Sequence, residues 1–289
     1  MPVEAIHISA YLDSLSASRA SAALRSGELL GLGRLGSLVI DFPYFERFPL
    51  GVLRYLLHQP TAQSKWGEQL HMGNPVQAAE SMLERARQTG SKRLLALALG
   101  FVSHLAVDRS LHPLVNRMAR ERARRLGGAP AHHHTEVEKF HSVLFHEERL
   151  GFDFMGEPAL RAHIEVDADA VHRDADLLGA LDAGFAAATG SAPGHEAFAR
   201  WARGYRQYVW LVSSPVGKRI VPEDVKKRVH GELYRGAWGA FPDAYGQAVA
   251  RSRDTLDAAL AWVEAPASEL KRAREAFSQT LPAGPIDLG

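Results

Sequence analysis

The sequence has no cysteine among its 289 residues. That excludes a disulfide scaffold, thiolate metal sites and thiol nucleophiles. Any bound metal must therefore be held by nitrogen and oxygen. A charge of one sign is missing too: 34 basic and 33 acidic residues nearly cancel. No global field steers nucleic acid or an anionic membrane toward the chain, and no stable nucleic-acid partner is expected. Long hydrophobic runs are absent, since the most apolar stretch, Leu94 to Val102, is only about half a membrane span. The start, MPVEAIHISAYLDSL, lacks the basic and apolar regions of a signal peptide, so a soluble, cytoplasmic protein is expected. GxSxG, Walker A and HExxH motifs and the His-Asp dipeptide of nucleotide phosphohydrolases are missing as well. GLGRLG at 31–36 has no preceding strand, and is read as shaping the approach to Asp41.

What is present is an ordinary globular composition, 46% hydrophobic and 23% charged, with an unusual 14 histidines. Periodicity is helical nearly everywhere, with no strand-like alternation, and it predicts an all-α domain of about ten helices. A first helix is expected from Val3 to Arg25, ended by Gly27. A segment punctuated by Gly31, Gly33 and Gly36 leads to Asp41. Helices follow from Leu50 to His58, from Asn74-Pro75 to Gln88, from Ser91 through Asp108, and from Pro130 through Leu144. Others are expected at about 166–188, 195–212, 222–238, 243–263 and 267–278. The helix after Ser91 is apolar almost all round, the mark of a central, buried helix. Glycines and aromatics near Leu150 to Gly156 mark a possible boundary. The second half is read as further helices on the same core, making residues 1–289 a single domain.

The strongest chemical signal lies in that central helix, His104-x-x-x-Asp108-x-x-x-His112. Spacing of i, i+4, i+8 stacks the three side chains within an arc of about 80°. Polar groups so aligned on an apolar helix are costly to bury unless they are paired or bind metal. A second pair, His134-x-x-x-Glu138, follows. A lone helical histidine is more often a core or surface residue than a ligand, but two such pairs close together favour metal. His132 with Glu136 has the same spacing on the other side of the helical wheel. Val137, Phe140 and Leu144 mark the buried face, which His134 and Glu138 flank. His141 lies on the inner arc and competes with them.

The segment LALALGFVSHLAVDRSLHPLV followed by HTEVEKF resembles the zinc-dependent phospholipase C family of bacteria, whose fold and trinuclear zinc site fungal single-strand nucleases share. The resemblance covers about residues 3–145 and extends to His7 in HISAYL, Asp41, and His71 in LHMGNP. It implies a phospholipase C/nuclease-like fold and a zinc-dependent phosphodiester hydrolase holding two or three Zn²⁺. By that resemblance Asp41, His71, His104 and Asp108 hold one ion, and His112, His134 and Glu138 a second. His7 and Asp108 hold a third, with Asp108 bridging, and Asp41 serves as the catalytic base. In secreted members the mature amino terminus and the backbone of a tryptophan complete the third site. This sequence has no tryptophan near its start, and Pro2 is the nearest substitute. The gap between His112 and His134 is longer than in the phospholipases and rich in arginine.

Such a site suits a phosphodiester. Clustered Zn²⁺ ions neutralise phosphoryl oxygens and lower the pKa of bound water, and three carboxylates leave the site net positive. Without the resemblance, Asp41 reads equally well as a turn-former before Pro43. Phe42, Tyr44 and Trp66 are candidates to line a headgroup pocket, although such residues are more often core. Arg117, Arg120, Arg122, Arg124 and Arg125 could touch lipid phosphate in transient contact with a membrane surface. More often such a run is a solvated helix face, and Lys226, Lys227 and Arg228 read the same way. The expected substrate is a phospholipid or another phosphodiester. A nuclease or nucleotide phosphodiesterase on the same core, and a non-catalytic metal-binding protein, are the alternatives.

Overall fold

The computed structural model describes residues 4–24, 26–48, 50, 64–220, 223–235 and 240–286. Beyond Leu50 the expected helix to His58 lies outside them, as does Pro2. Among the described residues the fold is all-α, with no strand.

The organising element is α5, Lys92–Leu126. Its start is set locally, because the Ser91 hydroxyl accepts the Leu94 N–H, satisfying one of the orphan donors of a helix start. Every residue from Leu94 to Asp108 is buried. This helix is long and apolar enough to cross a membrane, but 89% of its apolar window is buried inside the protein. Its far half runs through Pro113 and takes up most of the gap between His112 and His134.

The helices α1 (Glu4–Ser16), α2 (Gly27–Val39), α4 (Pro75–Thr89), α6 (Pro130–Leu150) and α12 (Phe241–Glu264) all pack against α5. The closest approach is with α2. A Cβ on Gly36 would lie 2.0 Å from the Leu97 carbonyl oxygen, and one on Gly100 1.9 Å from that of Gly33. The glycines read as punctuation are thus interior to a helix, and Gly36, with Gly100 opposite, lets two backbones touch.

The expected first helix is in fact two elements. After Ser16 the chain turns, Ser18 caps a 3₁₀ turn at Arg19–Ala22 and bonds to Asp257 of α12. Gly27 opens α2 rather than ending α1, since the Ser26 side chain accepts the Leu29 N–H.

Farther out lie α3 (Lys65–Met72), α7 (Pro158–Ile164), α8 (Ala170–Arg173), α9 (Ala175–Thr189), α10 (Gly194–Val212), α11 (Glu223–Val229) and α13 (Leu270–Thr280). The expected helix at 166–188 is broken at Asp174, whose side chain caps α9. The one at 222–238 gives way to a π turn at His230–Tyr234. Helix α7 was not anticipated. No boundary falls at Leu150 to Gly156, because Phe154 and Met155 are buried in a core cluster running from Ala5 to Ile286. Lys226 is no solvated cation either. It is buried, with Glu147, Asp153 and Glu223 around its amine.

Candidate metal centre

Five segments bring the candidate ligands together. His7 comes from α1, Asp41 from the turn after α2, and His71 from the last turn of α3. His104, Asp108 and His112 come from α5, and His134 with Glu138 from α6. They form three groups that could hold a metal ion: His7, His104, Asp108; Asp41, His71, His104; and His112, His134, Glu138. Within each group one ligand atom per residue lies within 4.8 Å of the others.

Asp108 is the hinge between them. Its Oδ2 faces His104 Nε2 at 3.0 Å and His71 Nε2 at 4.0 Å. Its Oδ1 faces His7 Nε2 at 3.4 Å and His112 Nε2 at 3.6 Å. Asp41 Oδ1 lies 3.3 Å from His71 Nε2 and 3.9 Å from His104 Nε2. Glu138 Oε1 lies 3.1 Å from His134 Nε2 and 3.3 Å from His112 Nε2. A tetrahedral ion with bonds of about 2.0–2.1 Å spaces its ligand atoms by about 3.3 Å. The nearest pairs cluster around that spacing.

The imidazoles are aimed by their other nitrogens. His104 Nδ1 donates to the Ser37 carbonyl at 2.8 Å and His71 Nδ1 to that of Gly67 at 2.9 Å. His134 Nδ1 meets Asn116 Oδ1 at 2.9 Å. Each leaves Nε2 for the site, the usual anchoring of a metal-binding histidine. For His104 the consequence is sharp. Its Nε2 is buried and faces two carboxylates, Asp108 at 3.0 Å and Asp41 at 3.9 Å. Lone pair against lone pair is repulsive, so either a proton or a metal ion must lie between. The His7 ring stacks on that of His104 at 3.8 Å, and its Nδ1 is buried without a hydrogen-bond partner.

Electrostatics follow. Burial alone would raise the Asp108 carboxyl, but His104, His112 and His7 hold it well below the usual range. Asp41 is lowered against the same penalty by His104 and His71, and Glu138 by His134 and His112. All three stay ionised at neutral pH. Burial and the neighbouring His104 push His7 down to about 4, keeping that imidazole neutral. For His104 burial is outweighed by Asp108 and Asp41, and its pKa rises.

Asp41 does begin a turn, Phe42–Phe45, but its side chain makes no capping bond there. The carboxylate is thereby left to the site. His132 is exposed, and Glu136 pairs with the buried Arg122. His141 turns away to the Leu233 carbonyl and stacks on Phe241. Of the aromatic candidates only Tyr44 is exposed beside the site, its hydroxyl 3.3 Å from His71 Nδ1. Phe42 is core against Tyr205, and Trp66 packs near Phe185 and Trp201. The arginine run is mostly solvated, but Arg122 is bound to Glu136 and Glu232.

Two supports escaped the sequence reading. Asn116 stands one turn beyond His112, so the register of α5 could have revealed it. The segment 281–286 returns to the site with no local signal: Ile286 N–H bonds to the His71 carbonyl, and the Arg109 guanidinium holds the carbonyls of Pro282 and Gly284. Comparison with known proteins finds no matching family model, curated protein or solved structure.

Proposed function

We propose that the protein is a zinc-dependent phosphodiester hydrolase of the phospholipase C type. The reading rests on one observation above the rest, the two oxygens of Asp108 facing separate sets of imidazoles. That arrangement suits a carboxylate bridging two ions. The all-nitrogen and oxygen donor set, rich in imidazole, suits zinc better than calcium or magnesium.

When bound, clustered Zn²⁺ supplies positive charge for a phosphoryl group and an acidified water. Asp108 fixes the separation of the groups it joins, and His112, His134 and Glu138 provide the outer set. Asp41 is held ionised beside His71 and His104, so it can accept a proton from an attacking water while its position is fixed by the turn. Tyr44 is placed to contact a substrate entering over His71. Exposure rises from 0% for the His104 side chain to 15% for Asp41 and 22% for His134. Substrate would therefore approach from the Asp41 and His134 sides.

The test is elemental analysis of the purified protein, together with turnover of phosphatidylcholine, bis(p-nitrophenyl) phosphate and single-stranded DNA. The reading expects about two or three Zn²⁺ per chain and turnover of the first two substrates. Turnover of DNA alone would select the nuclease reading. Metal without turnover would select a binding protein. Less than one ion per chain, with none taken up from added zinc, would overturn the reading.

A further inference from the structure

A second cluster lies on the opposite side of α1 from His7. A cavity of about 220 Å³ opens there, lined by Ser9, Leu12, His146, Leu150, Phe154 and His163, with Asp13 and Arg149 at its edge. At its floor Ser9 Oγ lies 2.8 Å from His146 Nε2 and 3.0 Å from His163 Nε2.

The partners fix the direction of this chain. His146 Nδ1 lies 2.7 Å from the Ser142 carbonyl, so it is the protonated nitrogen and Nε2 carries the lone pair. Ser9 must then donate to His146. His163 Nε2 lies 3.2 Å from the Ala5 carbonyl, so it carries a proton, which it shares with Ser9 Oγ. Some helical serines in this fold bond back to their own helix, as Ser14 does to the Ala10 carbonyl and Ser110 to that of Ala106, while Ser103 and Ser252 bond to each other. Ser9 does neither. Its natural acceptor, the Ala5 carbonyl, is taken by His163, and its hydroxyl is turned to a base.

We propose that Ser9 is a nucleophile with His146 as its base, taking the acyl group of a small uncharged ester. A hydroxyl within hydrogen-bond reach of an imidazole that a third group orients is the signature of an activated serine. The walls, Leu12, Leu150 and Phe154, are apolar. At the rim Arg149 is neutralised by a bidentate bond to Asp13 at 2.8 and 3.0 Å. Neither feature attracts a charged substrate.

In the step, Ser9 Oγ bonds to the carbonyl carbon and its proton passes to His146 Nε2. The carbon–oxygen bond to the alcohol breaks, and the alcohol leaves with that proton. Water then attacks the acyl-serine, giving up a proton to His146, and the acid departs as Ser9 recovers its hydrogen. His163 holds Ser9 Oγ in place through its N–H. Burial holds His146 neutral in the resting state, so the imidazolium formed in the step is short-lived and returns its proton to the leaving alcohol.

This site is independent of the metal centre. The test treats the 289-residue protein, with and without chelator, with a fluorophosphonate probe, which bonds to serine oxygen and releases fluoride. Intact mass and peptide mapping locate the adduct, and p-nitrophenyl acetate hydrolysis is followed in parallel. The expected result is one adduct on Ser9, unaffected by chelator, absent in Ser9→Ala and slowed about a hundredfold in His146→Gln. His163→Gln, which leaves the base in place, should slow labelling less and guards against a folding defect in His146→Gln. Absence of an adduct on Ser9, or equal labelling of wild type and a folded His146→Gln, would overturn the proposal.

Discussion

Two groups of buried histidines stand apart, and their difference is electrostatic. Around Asp108, imidazoles face carboxylates, and at His104 those charges outweigh burial and raise the pKa. At the other end of α6, His141 and His146 face backbone carbonyls instead, and burial pushes them down to about 4 and about 3. A carbonyl satisfies an N–H but cannot stabilise a cation as an ionised carboxylate does. In the first group His104 favours the charged form while His7 stays neutral, and in the second both imidazoles are neutral at rest.

The largest expected effect breaks the first group at its hinge. Asp108→Asn should remove more than one ion per chain and lower phosphodiester hydrolysis by at least about a hundredfold, since even outer partners of metal ligands cost 10–100-fold. His132→Ala, on the exposed side of α6, should change neither. Metal analysis and initial rates on both variants decide this, and equal effects would show that the ligands have been wrongly assigned.

Next in size is removal of metal. A cluster tying five segments binds the native state and hardly the unfolded chain. At a thousandfold excess over Kd that linkage is worth about 4 kcal/mol, or roughly 8–15 °C in Tm for a chain of this size. Melting should fall accordingly in strong chelator and recover with zinc. Hydrogen exchange should loosen around α5 and α6 more than in α9 and α10, which supply no ligand. Unchanged melting after verified removal would leave the two groups alike.

The pH dependence of the metal-free protein sharpens the contrast. His141 and His146 have folded pKa values below the ordinary 6.5, so the unfolded chain binds protons more readily. Their contribution is fully present above about 6.5 and is lost as pH falls toward 4 and 3, by at most about 1.4 kcal/mol per unit for each group. His104 has the opposite sign: its contribution is present below 6.5 and is lost as pH rises through its raised value. Denaturant titrations between pH 4 and 6.5 should show stability rising with pH. His146→Gln should flatten that rise. An unchanged slope in the variant would mean that His146 is not held neutral by the fold.

The smallest effect concerns the returning segment at His71. Arg109→Ala frees the carbonyls of Pro282 and Gly284 and loosens the segment that bonds to the His71 backbone. A charge-assisted hydrogen bond is worth about 1.5–3 kcal/mol; two are lost here, but they act on His71 only through its backbone, so an ion held at His71 should be weakened roughly tenfold and ions at the other groups less. Competition with a fluorescent chelator would resolve this, and uniform loss at all sites would point to general unfolding instead.

Legibility divided along the same physical line. The α5 and α6 motifs could be read directly, because residues four apart on one helix share a face whatever surrounds it. The helical class was equally plain, and so were the starts at Ser91 and Pro130, where a capping side chain or a missing N–H acts locally. The break after Ser16 was not, because Ser18 turns there toward Asp257, which lies far along the chain. Gly33 and Gly36 look like interruptions until Tyr11 and the α5 backbone are seen against them.

By itself, then, the sequence determined an all-α chain with a central apolar helix and two sets of candidate nitrogen and oxygen ligands at helical spacing. Backbone periodicity and side-chain chemistry suffice for that. Only the tertiary structure decided that Asp41 leaves its turn uncapped and faces His71, that His141 turns away, and that Phe42 is core while Tyr44 is exposed. It alone placed Ser9 between two imidazoles. Those outcomes depend on how closely α1, α2 and α6 approach α5, and that distance is set by packing between residues far apart in the chain.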